Sequence, residues 1–164
     1  MEQRKLNKIA NFFDNKRIPV TASDRKSGNI PYYGANGIQD FVNGFTHDGE
    51  YILIAEDGAS DLVNYPVNYV KGKIWVNNHA HVVNGKSKIL DTLFLGHRMN
   101  SINMVKWLVG GGRAKLNGDI LKQIPISVPK YQEQVVIGTA LNKCDKLIAS
   151  NQRNQKAVKI YNSS

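Results

Sequence analysis

In the stretch GGGRAKLN, residues 110–117, three glycines stand against Arg113 and Lys115. A backbone free of side chains beside two fixed positive charges suits a phosphate; it equally suits a tight turn with no ligand. Three other groupings invite chemistry. His79 and His81, in the run HAH, can show two imidazoles to one side of a strand, the beginning of a zinc site. No third ligand lies near in sequence, though His47, His97 or Asp57 could approach in space. Hydrogen bonding within the fold, or to a phosphate, is the expected use of this pair, and no metal is predicted. NGKS, residues 84–87, ends like a P-loop, but the pattern GxxxxGK[ST] requires glycine at position 80, where Ala80 stands. AEDGASD groups Glu56, Asp57 and Asp61 as a Mg²⁺-dependent nuclease would, yet no acidic residue stands two before Lys71 or Lys73. A turn rich in Asx residues is the plainer account. Neither a Ser/His/Asp nor a Cys/His order stands out, and no glycine-rich AdoMet or dinucleotide loop follows a strand. The sequence predicts no catalytic residue and no cofactor of its own.

What remains is a set of polar loops mixing basic, amide and aromatic side chains. SDRKSGN supplies Arg25, Lys26 and Asn29. YYGANG brings Tyr33 and Asn36 beside Tyr32, and KGKIWVNNH carries Lys71, Lys73, Asn77, Asn78 and His79 around Trp75. Arg113 and Lys115 close the set. Lysine and arginine neutralise phosphates, while Asn, Gln and Arg can read base edges in the major groove. Tyr32 and Trp75 serve a core equally well. The formal net charge of +9 over 164 residues favours a polyanionic partner: DNA, RNA or an anionic membrane. Charge alone does not choose among them, but no apolar run reaches the ~18 residues of a membrane span, and the amino terminus, MEQRKLNKIANFF, is too polar for a signal peptide. The one cysteine, Cys144, permits neither an internal disulfide nor a CxxC zinc set. A cytoplasmic protein in a reducing compartment is expected.

Two regions must position these side chains. Residues 1–129 read as a mixed α/β globule of short strands and packed helices. YILIAEDG, YPVNYVKGK, IWVNN and HAHVVNGK are predicted as separate short strands ended by Gly or Asn, and IPYYGANGIQDFVNG as strand, glycine turn, strand. Leu93, Leu95, Met99, Ile102, Val105, Trp107 and Leu108 are spaced for one helix or a helix pair ended at the glycine cluster. LKQIPISVPK is predicted extended, since Pro125 and Pro129 each hold the preceding residue out of the α region. The second region, 130–164, has no proline. Ile137, Leu141, Cys144 and Ile148 follow a 4, 3, 4 spacing that Asn151, Gln155 and Val158 continue. A helix of about 30 residues with so narrow an apolar stripe needs another helix alongside, and polar residues within such a seam fix register at a cost in stability.

The junction carries a resemblance. LNGDILKQIPISVPKYQEQVVIGTALNKCDKLI, residues 116–148, resembles the place in type I restriction–modification specificity subunits where a target recognition domain ends in an extended "IP-x-x-P" segment and "EQ" opens a long spacer helix; Pro125, Pro129, Glu133 and Gln134 occupy those positions. IPYYGANG, EYILIAEDGA, the asparagine–histidine run and GGGRAKLN precede it in the family's order. A usual specificity subunit has two recognition domains and two spacer helices; this chain has one of each. The resemblance implies a half-size form, with 1–129 reading one half of a bipartite double-stranded DNA target. It implies that 130–164 pairs antiparallel with a second copy and offers a surface to modification subunits, and in some complexes to a restriction subunit. AdoMet, for adenine-N6 methylation of a flipped base, would come with the methyltransferase partner. The same features also suit a stand-alone dimeric nucleic-acid-binding regulator or inhibitor. Some 30 helical residues span ~45 Å, about 13 base pairs, room for an unread spacer between two half-sites; a two-fold dimer would read a palindrome.

Overall fold

A computed structural model describes residues 1–162. The chain opens with β1 (Glu2–Lys5), one turn of helix α1 (Leu6–Ile9) and β2 (Ala10–Phe12). After 3₁₀ turns at Asp14–Lys16 and Ala22–Asp24 come β3 (Ser27–Gly34), β4 (Gly37–Val42), β5 (His47–Ala55), β6 (Val67–Val76) and β7 (Ala80–Gly85). Helix α2 (Thr92–Asn100), a 3₁₀ turn (Met104–Trp107), α3 (Gly118–Gln123), β8 (Pro125–Val128) and α4 (Tyr131–Asn162) complete the order. Strands β2, β7, β5, β6, β3 and β4 lie in that order in one sheet, antiparallel except where β3 runs parallel to β6. Strands β1 and β8 pair separately, Glu2 opposite Val128, which brings the amino terminus to the base of α4.

Strand β5 explains why YILIA is apolar throughout rather than alternating. Ile52 and Ile54 enter a core shared with α1, α2 and α3, while Tyr51 and Leu53 enter a second core with Val70, Ile74, Val76 and Val82. A strand covered on both faces has no polar face to show. Strand β6 alternates instead: Val70, Ile74 and Val76 are buried, and Lys71 and Lys73 are exposed.

Three details differ from the sequence expectation. YPVNYVKGK and IWVNN form one strand, because Gly72 (φ +97°) stands opposite Gly49 (φ +151°) and the pairing continues through the kink. The segment before Pro125 is helical up to Gln123, since a proline restrains only its immediate predecessor, here Ile124 at φ −58°, ψ 122°. The apolar run 93–108 divides: α2, capped by the Asp91 carboxylate accepting from Phe94 N–H, ends at Asn100, and Asn103 caps the following 3₁₀ turn. The expected hairpin of β3 and β4 and the long helix from Tyr131 are both present.

Candidate nucleic-acid interface

The glycine stretch is a hairpin tip. Val109 and Lys115 exchange both backbone hydrogen bonds, at 2.8 and 2.9 Å, so residues 110–114 must reverse the chain. Gly110 has φ +96°, and a Cβ there would lie 2.7 Å from the Arg113 carbonyl. Arg113 projects from the tip with 69% of its side chain exposed, and its Nη2 stands 3.6 Å from Asp57. Lys115 Nζ lies 3.0 Å from Glu56 Oε1. Leu116 N–H donates to the Glu56 carbonyl, which fastens the hairpin to the end of β5.

Beneath it lies a charge hub. Arg17 Nη1 donates to Glu56 Oε2 at 2.6 Å, with 15% and 14% of the two side chains exposed. The same guanidinium donates to the carbonyls of Asp14, Asn78 and Ala80. His81 Nε2–H donates to the Leu116 carbonyl at 2.7 Å, and its Nδ1 shares a 2.6 Å bond with Asp14 Oδ2. Burial alone would raise the Asp14 and Glu56 carboxyls. Their hydrogen bonds outweigh it, from His81 and Val82 N–H to Asp14 and from Arg17 and Lys115 to Glu56, and hold both below the usual range. Asp14, Glu56 and His81 are the one group among the described residues whose ligand atoms could converge on a metal. Arg17 and Lys115 already neutralise it, and an ion would have to break those pairs. Burial keeps His47 neutral at lower pH than usual, against the Phe13 carbonyl that Nε2–H bonds.

The two histidines of HAH therefore diverge. His81 is buried in β7, whereas His79 lies in the turn before it, bonded to Asp57. Asp57 thus joins His79 and Arg113, while Asn36 ties the β3–β4 turn to the next residues, donating to the Gly58 carbonyl and accepting from Ser60 N–H. Asp61, by contrast, makes the expected Asx turn, accepting from Val63 and Asn64. Arg25, Asn77, Asn78 and His79 line one cleft with Gln39, and Arg25 and Lys26 line an adjoining one with Trp75. A rim of predicted residues thus runs from Lys26 through Arg25, the asparagines and His79 to Arg113. Asn29 is exposed on a β3 bulge, where Gly28 has no room for a Cβ against Val42 and Asn43.

Not every predicted residue serves this rim alone. Arg25 stacks on the Tyr32 ring at 4.1 Å, bonds the Val20 carbonyl and faces Asp40, so it also braces the fold. Tyr33 packs against the second core, and burial raises its hydroxyl pKa. Lys71 and Lys73 occupy the outward face of β6, across from Glu50 and Asp48. Tyr32 is a core residue, 1% exposed. Trp75 is half-buried, its Nε1–H donating to the Ile18 carbonyl. Sequence reading missed Arg17, Asp14 and Gln39. Only their polarity marked them, and nothing local pointed to their distant partners.

The long helix leaves this globule quickly. From Lys146 to Tyr161 every residue but Ser150 is exposed, including Ile148, Asn151, Gln155 and Val158; nearer the globule, Ile137, Leu141 and Cys144 are also exposed. The apolar stripe is therefore uncovered. No helix among the described residues is long and apolar enough to cross a membrane.

Against known proteins, the family model for the type I restriction modification DNA specificity domain matches residues 1–159. The chain belongs to this family. The role the family describes is DNA specificity, recognition and not catalysis. Over 137 residues the chain is 51% identical to the type I restriction enzyme specificity subunit S.HindORF215P of Haemophilus influenzae, covering 84% of this chain and 35% of that one. It is 31% identical over 121 residues to the EcoprrI specificity subunit of Escherichia coli, covering 73% and 29%. The chain spans about a third of the length of these curated relatives. In fold it resembles the type I S subunit of M. genitalium, with TM-score 0.76 at 16% identity over 97% of this chain and 42% of that one. The HsdS subunit of Thermoanaerobacter tengcongensis matches with TM-score 0.57 at 12% identity, covering 94% and 39%. Glu133 and Gln134, which carried the resemblance in sequence, now have physical roles: Glu133 Oε2 accepts the Lys130 N–H and caps α4, and Gln134 is buried against the globule.

Proposed function

We propose that the globule reads one half of a bipartite DNA target and that α4 holds it at a set distance from a second reading unit. The complex would include modification subunits that bring AdoMet and methylate adenine, with a restriction subunit joining in cleavage-competent assemblies. The observation that carries this reading is a basic, amide-rich rim on a globule from which a 32-residue helix projects with its apolar stripe uncovered. The family match supports the DNA target. The share of the M. genitalium S subunit that this chain covers, 42%, leaves room there for a second unit of the same size. A bacterial cytoplasmic setting follows from the same reading.

The direct test is single-molecule sequencing of methylated adenine in host DNA, with and without the gene, with the candidate modification subunit present. A split motif that disappears on deletion supports the reading, and a palindromic motif supports pairing of two identical copies. If no motif depends on the gene, the methylation role fails and a stand-alone binder takes its place.

Arg113 and Lys115 serve phosphates in this reading. Changing both to alanine should weaken binding to a similar degree on every DNA sequence and flatten the salt dependence by about two in log–log slope. Fluorescence anisotropy across a salt series checks this; an unchanged slope removes both residues from the phosphate contacts.

A further inference from the structure

The base of α4 is locked to the globule by a small set of contacts. Gln134, 1% exposed, uses its whole amide: Nε2 donates to the carbonyls of Ile89 and Pro129 at 3.1 and 3.0 Å, and Oε1 accepts from Asp91 N–H at 3.0 Å. Asp91 is the residue whose carboxylate caps α2. One turn further along α4, Gly138 rests on that same cap. A Cβ at Gly138 would stand 2.9 Å from Phe94 N, 3.1 Å from Asp91 Oδ1 and 3.2 Å from Phe94 Cα. Two of these are backbone atoms of a capped helix start and cannot swing aside. Two turns beyond, His97 Nδ1 faces Asp145 at 3.8 Å. After that the helix stands clear of the globule.

We infer that Gln134 and Gly138 are spacing determinants: they fix the angle at which α4 leaves the reading globule and hence the number of base pairs left unread between half-sites. The inference rests on the bipartite reading proposed above. Its physical basis is leverage. From Gly138 to its end the helix runs roughly 35 Å at ~1.5 Å per residue. A second globule carried at that far end moves by ~6 Å for a ~10° tilt, nearly two base-pair steps of ~3.4 Å. An alanine at position 138 must lift α4 off the α2 cap by ~0.5 Å. Taken over the one turn from Gln134, that lift is a tilt of ~5°, or ~3 Å at the far end, about one step. Neither residue has to touch DNA, so the bases read at each half-site are untouched. A residue that merely supports the fold would lower occupancy of the parent motif and leave its spacer length alone.

The experiment is methylated-adenine sequencing of hosts carrying the full chain or Gly138→Ala, together with the modification subunit. The expected result keeps both half-site sequences and changes the unread spacer by about one base pair, or broadens it to a mixture of lengths. A folded, methylating variant with the parent's spacer alone overturns the inference. Where Gly138→Ala lacks a cooperative thermal transition, Gln134→Met replaces it; that change removes three hydrogen bonds, adds no bulk, and is read by the same criterion. Absence of any motif in the parent strain is a different outcome, since it defeats the proposed function itself.

Discussion

Arg17→Ala should destabilise the globule by about 3 kcal/mol, the lower end of what removing one partner of a buried ion pair costs. The side chain joins three segments: Asp14 in its own turn, Glu56 at the end of β5, and the carbonyls of Asn78 and Ala80 at the start of β7. Without it, Glu56 keeps the Lys115 ammonium at 3.0 Å, which is why the low end of the range applies. The loss also has a pH signature. Asp14 and Glu56 sit below their ordinary values in the folded chain, so the unfolded chain takes up protons first as the solution is acidified. The stability they contribute is full above the ordinary glutamate value of 4.5 and is lost as pH falls through the lower folded values. Removing Arg17 takes away the first of the hydrogen bonds that depress Glu56, so the variant's stability should change less with pH below that point. Urea denaturation of parent and variant between neutral pH and pH 3 measures both effects. A difference under ~1 kcal/mol at neutral pH would show that the hub is not holding these segments together.

Charging the outer stripe of α4 should separate the copies that we propose pair through it. Ile148 and Val158 are 55% and 57% exposed in the single chain and lie beyond the last tether of α4 to the globule at Asp145. Ile148→Asp with Val158→Asp should therefore leave the fold intact. In a two-fold assembly each substitution occurs twice. Each buried aliphatic side chain contributes roughly 1.5–3 kcal/mol, so the double variant should weaken association by well over 1,000-fold. Sedimentation equilibrium should find the parent at twice its 18.3 kDa chain mass and the variant at 18.3 kDa. Affinity for a two-half-site DNA should fall with it, while contact with a single half-site persists. A parent chain that is monomeric at micromolar concentration would exclude self-pairing as the purpose of the stripe.

The features legible in the sequence are those that the local chain determines. The 4, 3, 4 spacing and the lack of proline after Tyr131 specify a helix with one narrow apolar face, and α4 is that helix. Glycine at positions 34 and 37 marks the β3–β4 turn, and the glycine cluster after Val109 marks a reversal because few other residues adopt φ +96°. Basic and amide residues concentrated in loops gave the candidate rim. Even here, local rules overreached where a tertiary partner intervened. Gly72 is no strand end, because Gly49 across the ladder accepts the same kink.

Distance in sequence hid the rest. Arg17 and Glu56 are separated by 39 residues, and Asp14 and His81 by 67, so no spacing rule could join them. They meet because β7 lies between β2 and β5 in the folded sheet. The same packing decides how far each cation is exposed. Arg113 and Arg25 are equal as letters, yet one projects from a hairpin tip and the other stacks on Tyr32. It also turns "EQ" from a pattern into two functions, a helix cap and a clamp, through partners that only the folded chain supplies. The sequence by itself determined the elements and the excess of positive charge, since backbone propensity and periodicity act within a few residues. Tertiary structure alone decided which charges are paired and at what angle α4 departs, because burial and ion pairing depend on neighbours that the chain brings together only on folding.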